Sequence, residues 1–290
     1  MSERSHSSVR IAYFSDIHIE IVRHETRPIR FPPWTTAYPL ELGPDLSSLV
    51  GNVDLVILAG DIGVGDLTSD ESAALYASQV AEFVEAPVVF VPGNHEYYGT
   101  AFEICREKLL STKPQNVAVL DRSEDFYRIG KDKVRILGAT LWTDYALFGN
   151  PPIAMAIASD RINDHRRIAM SNGNLFSPWD AAKEHHISRL WLDTKLREPH
   201  NGHTVIVTHH VPHPLLRNPN IPAYDPLAPA FQSDCSDLLS IATTAGVKAW
   251  IFGHNHFSID RELQGVRMLS AQTGYPREQT GWRGVPIFEI

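Results

Sequence analysis

Ile251-Phe252-Gly253-His254-Asn255-His256 closes a short apolar run, Ala249 to Phe252, that reads as a buried strand. Glycine breaks the run just before two histidines. Alternate residues of a strand share a face, whereas a turn opened by glycine lets His254 and His256 splay towards two neighbouring points. Two imidazoles one residue apart at a strand end are a metal-ligand arrangement in search of partners, and other apolar runs of the chain supply candidates.

Val9 to Phe14 ends in Ser15-Asp16-Ile17-His18, and Val53 to Ala59 ends in Gly60-Asp61. Val88 to Val91 leads to Pro92-Gly93-Asn94-His95-Glu96, and Thr204 to Thr208 leads to His209-His210. Functional groups in open α/β sheets gather where the carboxyl ends of strands meet. Chance would scatter Asp, Asn and His over loops and surfaces; here each apolar run delivers one at its end.

Helices fill the intervals. Thr68-x-x-Glu71 and Thr100-x-x-Glu103 resemble capping boxes, the first opening a helix with Tyr76, Val80, Phe83 and Val84 on one face. Further helices are expected from Ala181 to Arg197 and from Asp234 to Ala245, the latter stopped by Gly246. Val117 to Leu120, Phe126 to Ile129 and Val134 to Leu141 read as a meander continuing the sheet, and Val266 to Ser270 and Pro286 to Ile290 as edge strands. Prolines 28, 32, 33, 39 and 44 mark a long surface loop. Strands alternating with helices in both halves give a layered α/β protein, read as a single domain over residues 1–290.

A net charge of −8 argues against a nucleic-acid or anionic-membrane binder working through a basic surface. It leaves room for a small anionic substrate held by metal ions. Two cysteines, Cys105 and Cys235, make no disulfide framework and are expected as small core residues. A polar stretch from Met1 to Arg10, with no apolar run near the roughly 18 residues of a membrane span, gives a cytoplasmic expectation with no membrane partner.

Collected together, the strand ends offer Asp16, His18, Asp61, Asn94, His95, His209, His254 and His256. Carboxylate and amide oxygens mixed with imidazole, without thiolate, suit first-row divalent ions: Mn, Fe, Zn, Co or Ni, with Mn favoured. The set is too large for one tetrahedral site, but natural for two ions sharing a carboxylate, roughly 3.5–4 Å apart in hydrolytic pairs. Two aspartates offset half of four positive charges, so such a site attracts phosphate.

Asp16-x-His18, Gly60-Asp61, Gly93-Asn94-His95-Glu96, Thr208-His209 and Gly253-His254-Asn255-His256, in this order, resemble the calcineurin-like metallophosphoesterase superfamily. The resemblance spans about residues 9 to 260 and implies two β-sheets packed face to face between helical layers. It places Asp16, His18 and His256 on a first metal, Asp61 as the bridge, and Asn94, His209 and His254 on a second. It leaves His95 unligated near the phosphate. The implied reaction is in-line attack of a metal-bridging hydroxide on phosphorus, with Asn94 and His95 as hydrogen-bond donors and His95 protonating the leaving oxygen. Protein phosphatases of the superfamily extend their Gly-Asp motif with Asp-Arg-Gly, whereas here Gly60-Asp61 continues Ile62-Gly63-Val64-Gly65-Asp66. That favours a phosphodiester of nucleotide or other small type, or a short nucleic acid, over a phosphoprotein. A phosphomonoesterase and a non-catalytic metal-binding scaffold are the alternatives. Asp66 is the candidate partner orienting His95, Glu96 reads as loop support, and His210 stands evenly between a supporting and an outward place.

Residues 142–180 lack a clear period, with a helical piece expected within Ile153 to Met170. They form a candidate cap, in which Arg161, Arg166 or Arg167 meets phosphate and an aromatic ring stacks on a base, and a candidate oligomer contact. The plainer reading is a solvated helix with surface arginines. His185, His186, His200 and His203, with His6 and His24, are read as structural or exposed.

Overall fold

A first sheet is built from β1 (Arg10–Phe14), β2 (Leu55–Leu58), β3 (Val88–Phe90), β4 (Val117–Val119) and β11 (Ile287–Glu289), in the order β11-β1-β2-β3-β4. A second contains β5 (Ser123–Ile129), β6 (Asp132–Ala139), β7 (His203–Thr208), β8 (Val247–Ile251), β9 (Ile259–Leu263) and β10 (Val266–Ser270), in the order β5-β6-β7-β8-β10-β9. This computed structural model describes residues 8–23, 39–112 and 114–290. His6, His24 and the Pro28, Pro32 and Pro33 part of the expected loop lie outside the described residues.

Strand sequence explains which sheet faces meet. In β6, β7 and β8 the buried residues alternate: Val134 and Ile136, Val205 and Val207, Ala249 and Ile251 share one core with the first sheet's Ile11, Ile57 and Val89. Leu137, Ile206 and Trp250 point the other way, into a second core with Leu192, Leu196, Leu238 and Leu239 of the covering helices. Period-two alternation thus assigns each residue to one side of a sandwich. The first sheet's β2, Leu55-Val56-Ile57-Leu58, is apolar throughout because both of its faces are covered. The architecture is the expected one.

Details differ from the sequence reading where side chains choose unexpected partners. The supposed meander is split between sheets: β4 closes the first, and β5 and β6 begin the second. The chain turns at Asp121, whose carboxylate accepts from Arg106 Nε at 2.6 Å and from the Thr140 backbone N–H at 3.1 Å. Arg122 follows in the left-handed region at φ 50°. Val266–Ser270 is an interior strand, flanked by β8 and β9.

Neither expected capping box forms. Thr68 bonds Asp66 in a local turn, and the helix Ala73–Val84 opens at Ser72, whose hydroxyl accepts from Leu75 N. Its Phe83 is exposed, not on the buried face. Glu103 instead accepts from Ser171, leaving the helix Phe102–Ser111 without a side-chain cap. A true capping box, Ser177 with Asp180, opens the helix Pro178–Arg197. The expected helix within 153–170 is two pieces, Pro151–Arg161 and Asp164–Arg167. Cys105 and Cys235 are free and buried, as expected. Among the described residues no helix is long and apolar enough to cross a membrane.

Asp121→Ala should strand the Arg106 guanidinium and the Thr140 N–H where the chain changes sheets, at a cost of about 2–4 kcal/mol. Chemical denaturation measures it; a midpoint equal to that of the unaltered protein would contradict this role.

Candidate metal centre

Every loop leaving the carboxyl end of β1, β2, β3, β7 and β8 comes to the same place. Backbone bonds lace these loops together: Asp16 N donates to Gly60 O at 3.0 Å, His18 N to Asp61 O at 3.0 Å, and Gly253 N to His209 O at 2.9 Å. The turns are tight enough that Asp16, His18, Asp61, His254 and His256 all sit at positive φ, between 48° and 75°. Each such non-glycine residue costs of order 1–3 kcal/mol, and such strain collects at functional sites.

One cluster gathers Asp61, Asn94, His209 and His254. His209 Nδ1 donates to Ala59 O at 2.8 Å, and Nε2 then faces Asn94 Oδ1 at 3.1 Å, His254 Nδ1 at 3.2 Å and Asp61 Oδ2 at 3.3 Å. The Asn94 amide is fixed by its nitrogen, which donates to Asp164 Oδ1 at 2.8 Å and to Tyr98 Oη at 3.1 Å. Only its oxygen faces the cluster. This corrects the expectation that Asn94 donates to a phosphoryl oxygen: both amide hydrogens are committed elsewhere. Oxygen and nitrogen lone pairs converging on one point suit a cation.

A second cluster holds Asp16, His18 and His256. Nε2 of His18 lies 3.0 Å from Nε2 of His256, which lies 3.5 Å from Asp16 Oδ1. His256 Nδ1 is taken by Glu278 Oε2 at 2.5 Å, so its other nitrogen points inward. Asp61 Oδ2 reaches both clusters, 3.3 Å from His209 Nε2 and 3.9 Å from His18 Nε2. All seven expected ligands are therefore brought together.

The field is anionic. Burial disfavours charge on His209 and His95, yet the adjoining Asp61 carboxylate outweighs it and raises them to about 10 and about 9. A field that draws protons onto imidazoles draws metal cations for the same reason. Burial holds His18 and His254 in the neutral form that ligates.

Around these groups lies a layer with little sequence signal. His95 pairs with Glu20 Oε1 at 2.8 Å through Nδ1 and with the Tyr275 hydroxyl at 3.1 Å through Nε2. Asp66, the expected partner, is exposed and bonded to Thr68. Glu96 supports the loop as expected: its buried carboxylate accepts from the N–H groups of Asp61, Ile62, Gly63 and Gly93. His210 is buried and packs against His254, ring centres 4.1 Å apart and tilted by 38°, which gives it the supporting place. Tyr275 and Glu278 were not singled out in the sequence, where no spacing marks them; Glu20, two residues beyond His18, had that proximity as its one signal.

A cavity of about 650 Å³ opens above the clusters, lined by His95, His254, His256, Tyr275, Arg161 and Phe231 among others. Of the three arginines in 142–180, only Arg161 lines it. Arg166 bonds back to the carbonyls of Asp160 and Arg161, and Arg167 lies over the Tyr98 ring at 4.7 Å. Trp142 is buried against Phe176, so it is no stacking platform for a base.

The chain belongs to the calcineurin-like phosphoesterase family, whose model matches residues 9–258. It is a phosphoester hydrolase of that family, with carboxylate–histidine clusters of the kind that bind divalent metal. It is 23% identical over 249 residues to uncharacterized protein L509 of Acanthamoeba polyphaga mimivirus, covering 80% of this chain and 82% of that protein. Phosphopantetheinyl hydrolase (PptH) from Mycobacterium tuberculosis shares the fold with a TM-score of 0.62 at 18% identity, over 98% of this chain and 96% of that one. A putative 5′-nucleotidase from Staphylococcus aureus matches with a TM-score of 0.52 at 14% identity, over 98% of this chain and 50% of the other.

Packing at the centre depends on Gly93. A Cβ there would lie 2.2 Å from Asp61 Oδ1 and 2.7 Å from Asp61 N. Gly93→Ala should push the Asp61 carboxylate aside and weaken metal binding about 10–100-fold, as read by equilibrium dialysis with elemental analysis. Affinity matching that of the unaltered protein would show that Asp61 is not a ligand.

Proposed function

We propose that the protein hydrolyses a small phosphodiester of nucleotide type with two divalent cations, manganese favoured. Asp16, His18 and His256 would hold one ion and Asn94, His209 and His254 the other. The supporting observation is the position of Asp61 Oδ2, within reach of ligand nitrogens of both clusters. The diester preference is supported by the missing Asp-Arg-Gly extension after Gly60-Asp61.

When bound, the cations supply Lewis acidity and lower the pKa of water. Other tasks belong to the protein. Glu20 holds His95 by Nδ1, which leaves Nε2 on the cavity side beside the Tyr275 hydroxyl. A proton at that nitrogen is placed to meet the leaving oxygen of an in-line displacement. Asp164 holds Asn94 so that its oxygen, and not its nitrogen, faces the centre. Phe231 packs on His254, centroids 4.9 Å apart, and lines the adjoining cavity wall against which a substrate body can rest.

With added manganese, bis-p-nitrophenyl phosphate should be hydrolysed faster than p-nitrophenyl phosphate, and chelation should stop both. The opposite preference would make the protein a monoesterase, and no metal-stimulated turnover of either ester would leave a scaffold. Asp61→Ala and His254→Ala should each abolish activity and lower metal content by elemental analysis. His95→Ala should keep its metal and lose about 10²–10⁴-fold in kcat, the usual scale of a proton-transfer group; loss of metal together with activity would give His95 a structural role.

A further inference from the structure

Arg161 closes the helix Pro151–Arg161 and lines the cavity above the clusters. Among the described residues its guanidinium makes no hydrogen bond, ion pair or ring contact. The three carboxylates that share the cavity wall are engaged elsewhere: Asp61 accepts from the His95 N–H and faces His209, Asp164 accepts from Asn94 and Tyr98, and Glu278 from His256. Asn163 lies beside it, its oxygen accepting from Arg166, which leaves the amide nitrogen as a further donor at the wall. Ile162, Ile221 and Phe231 give the same cavity an apolar side.

Charge and volume together define a ligand. A phosphodiester carries a single negative charge, and the clusters below can satisfy it without Arg161. About 650 Å³ is ample for a small molecule extending beyond its reacting phosphate, since such sites span roughly 300–1,000 Å³. A guanidinium fork that pairs with none of the wall's carboxylates matches the paired oxygens of phosphate or carboxylate.

We infer that the substrate carries a second anionic group, a phosphate or carboxylate, which Arg161 and Asn163 receive while the reacting phosphoester sits on the clusters and an apolar body lies against Ile221 and Phe231. This deepens the proposed hydrolase reading and rests on it for the location of the reacting group. Arg161 would then set specificity and take no part in the bond-breaking step.

Calorimetric titration of the manganese-loaded protein with adenosine 3′,5′-bisphosphate and with AMP tests the inference without turnover. The bisphosphate should bind at least about tenfold more tightly, the scale of one charge-assisted hydrogen-bonded pair. Arg161→Ala should erase that preference, and Arg161→Lys should restore part of it. Equal binding of the two nucleotides to the unaltered protein, or a preference that survives Arg161→Ala, would overturn the second-anion site. Hydrolysis of bis-p-nitrophenyl phosphate, measured in parallel, reports on the hydrolase reading separately: a bisphosphate preference with no turnover would sink that reading and leave Arg161 in its role.

Discussion

Groups able to ligate a cation are crowded where the five loops meet. His209 Nε2, Asn94 Oδ1 and the Asp61 carboxylate come to little more than 3 Å, with the Asn94 amide hydrogens committed to Asp164 and Tyr98 and the His209 imidazole kept charged by Asp61. Such crowding of buried oxygens and carboxylate is unfavourable unless positive charge is shared among them. The surrounding backbone has to hold it, and the rest of the architecture follows from that demand.

Parallel strands covered on both faces meet it. β2 and β3 are buried along their whole length, so the loops they launch start from fixed points. Glu96 then ties the Gly60-Asp61 loop to the Gly93 loop through four backbone N–H groups, which resist displacement together. Burial and Asp61 push the Glu96 carboxyl up to about 7, against those amides. The left-handed residues of the loops are affordable only in so constrained a frame.

What could be read from the sequence is whatever repeats locally. Apolar runs ending in Asp, Asn or His are visible because strand and polar residue are adjacent in the chain, and the seven expected ligands come together as that pattern implies. The turn from one sheet to the other is not visible, because β4 and β6 carry similar apolar patterns and the switch depends on Asp121 meeting Arg106 and Thr140. Thr68-x-x-Glu71 has the letters of a capping box, but Asp66 captures Thr68 first. Tyr275 and Glu278 arrive from a segment that folds back over Asp16, where Gly274 N donates to the Asp16 carbonyl at 2.9 Å, and no local pattern announces such a return.

β1 lies between β2 and β11, so the strand that begins the sheet is completed by residues 287–289. During synthesis, β1 therefore waits with one edge open until those residues emerge, and the closing of so long a loop is slow by the entropy of bringing distant segments together. Asp16 likewise gains the backbone N–H of Gly274 only after most of the chain exists. The Asp16 loop therefore reaches its final support only late in synthesis, and a nascent chain stalled before residue 274 would present an exposed strand edge to chaperones or to its own kind.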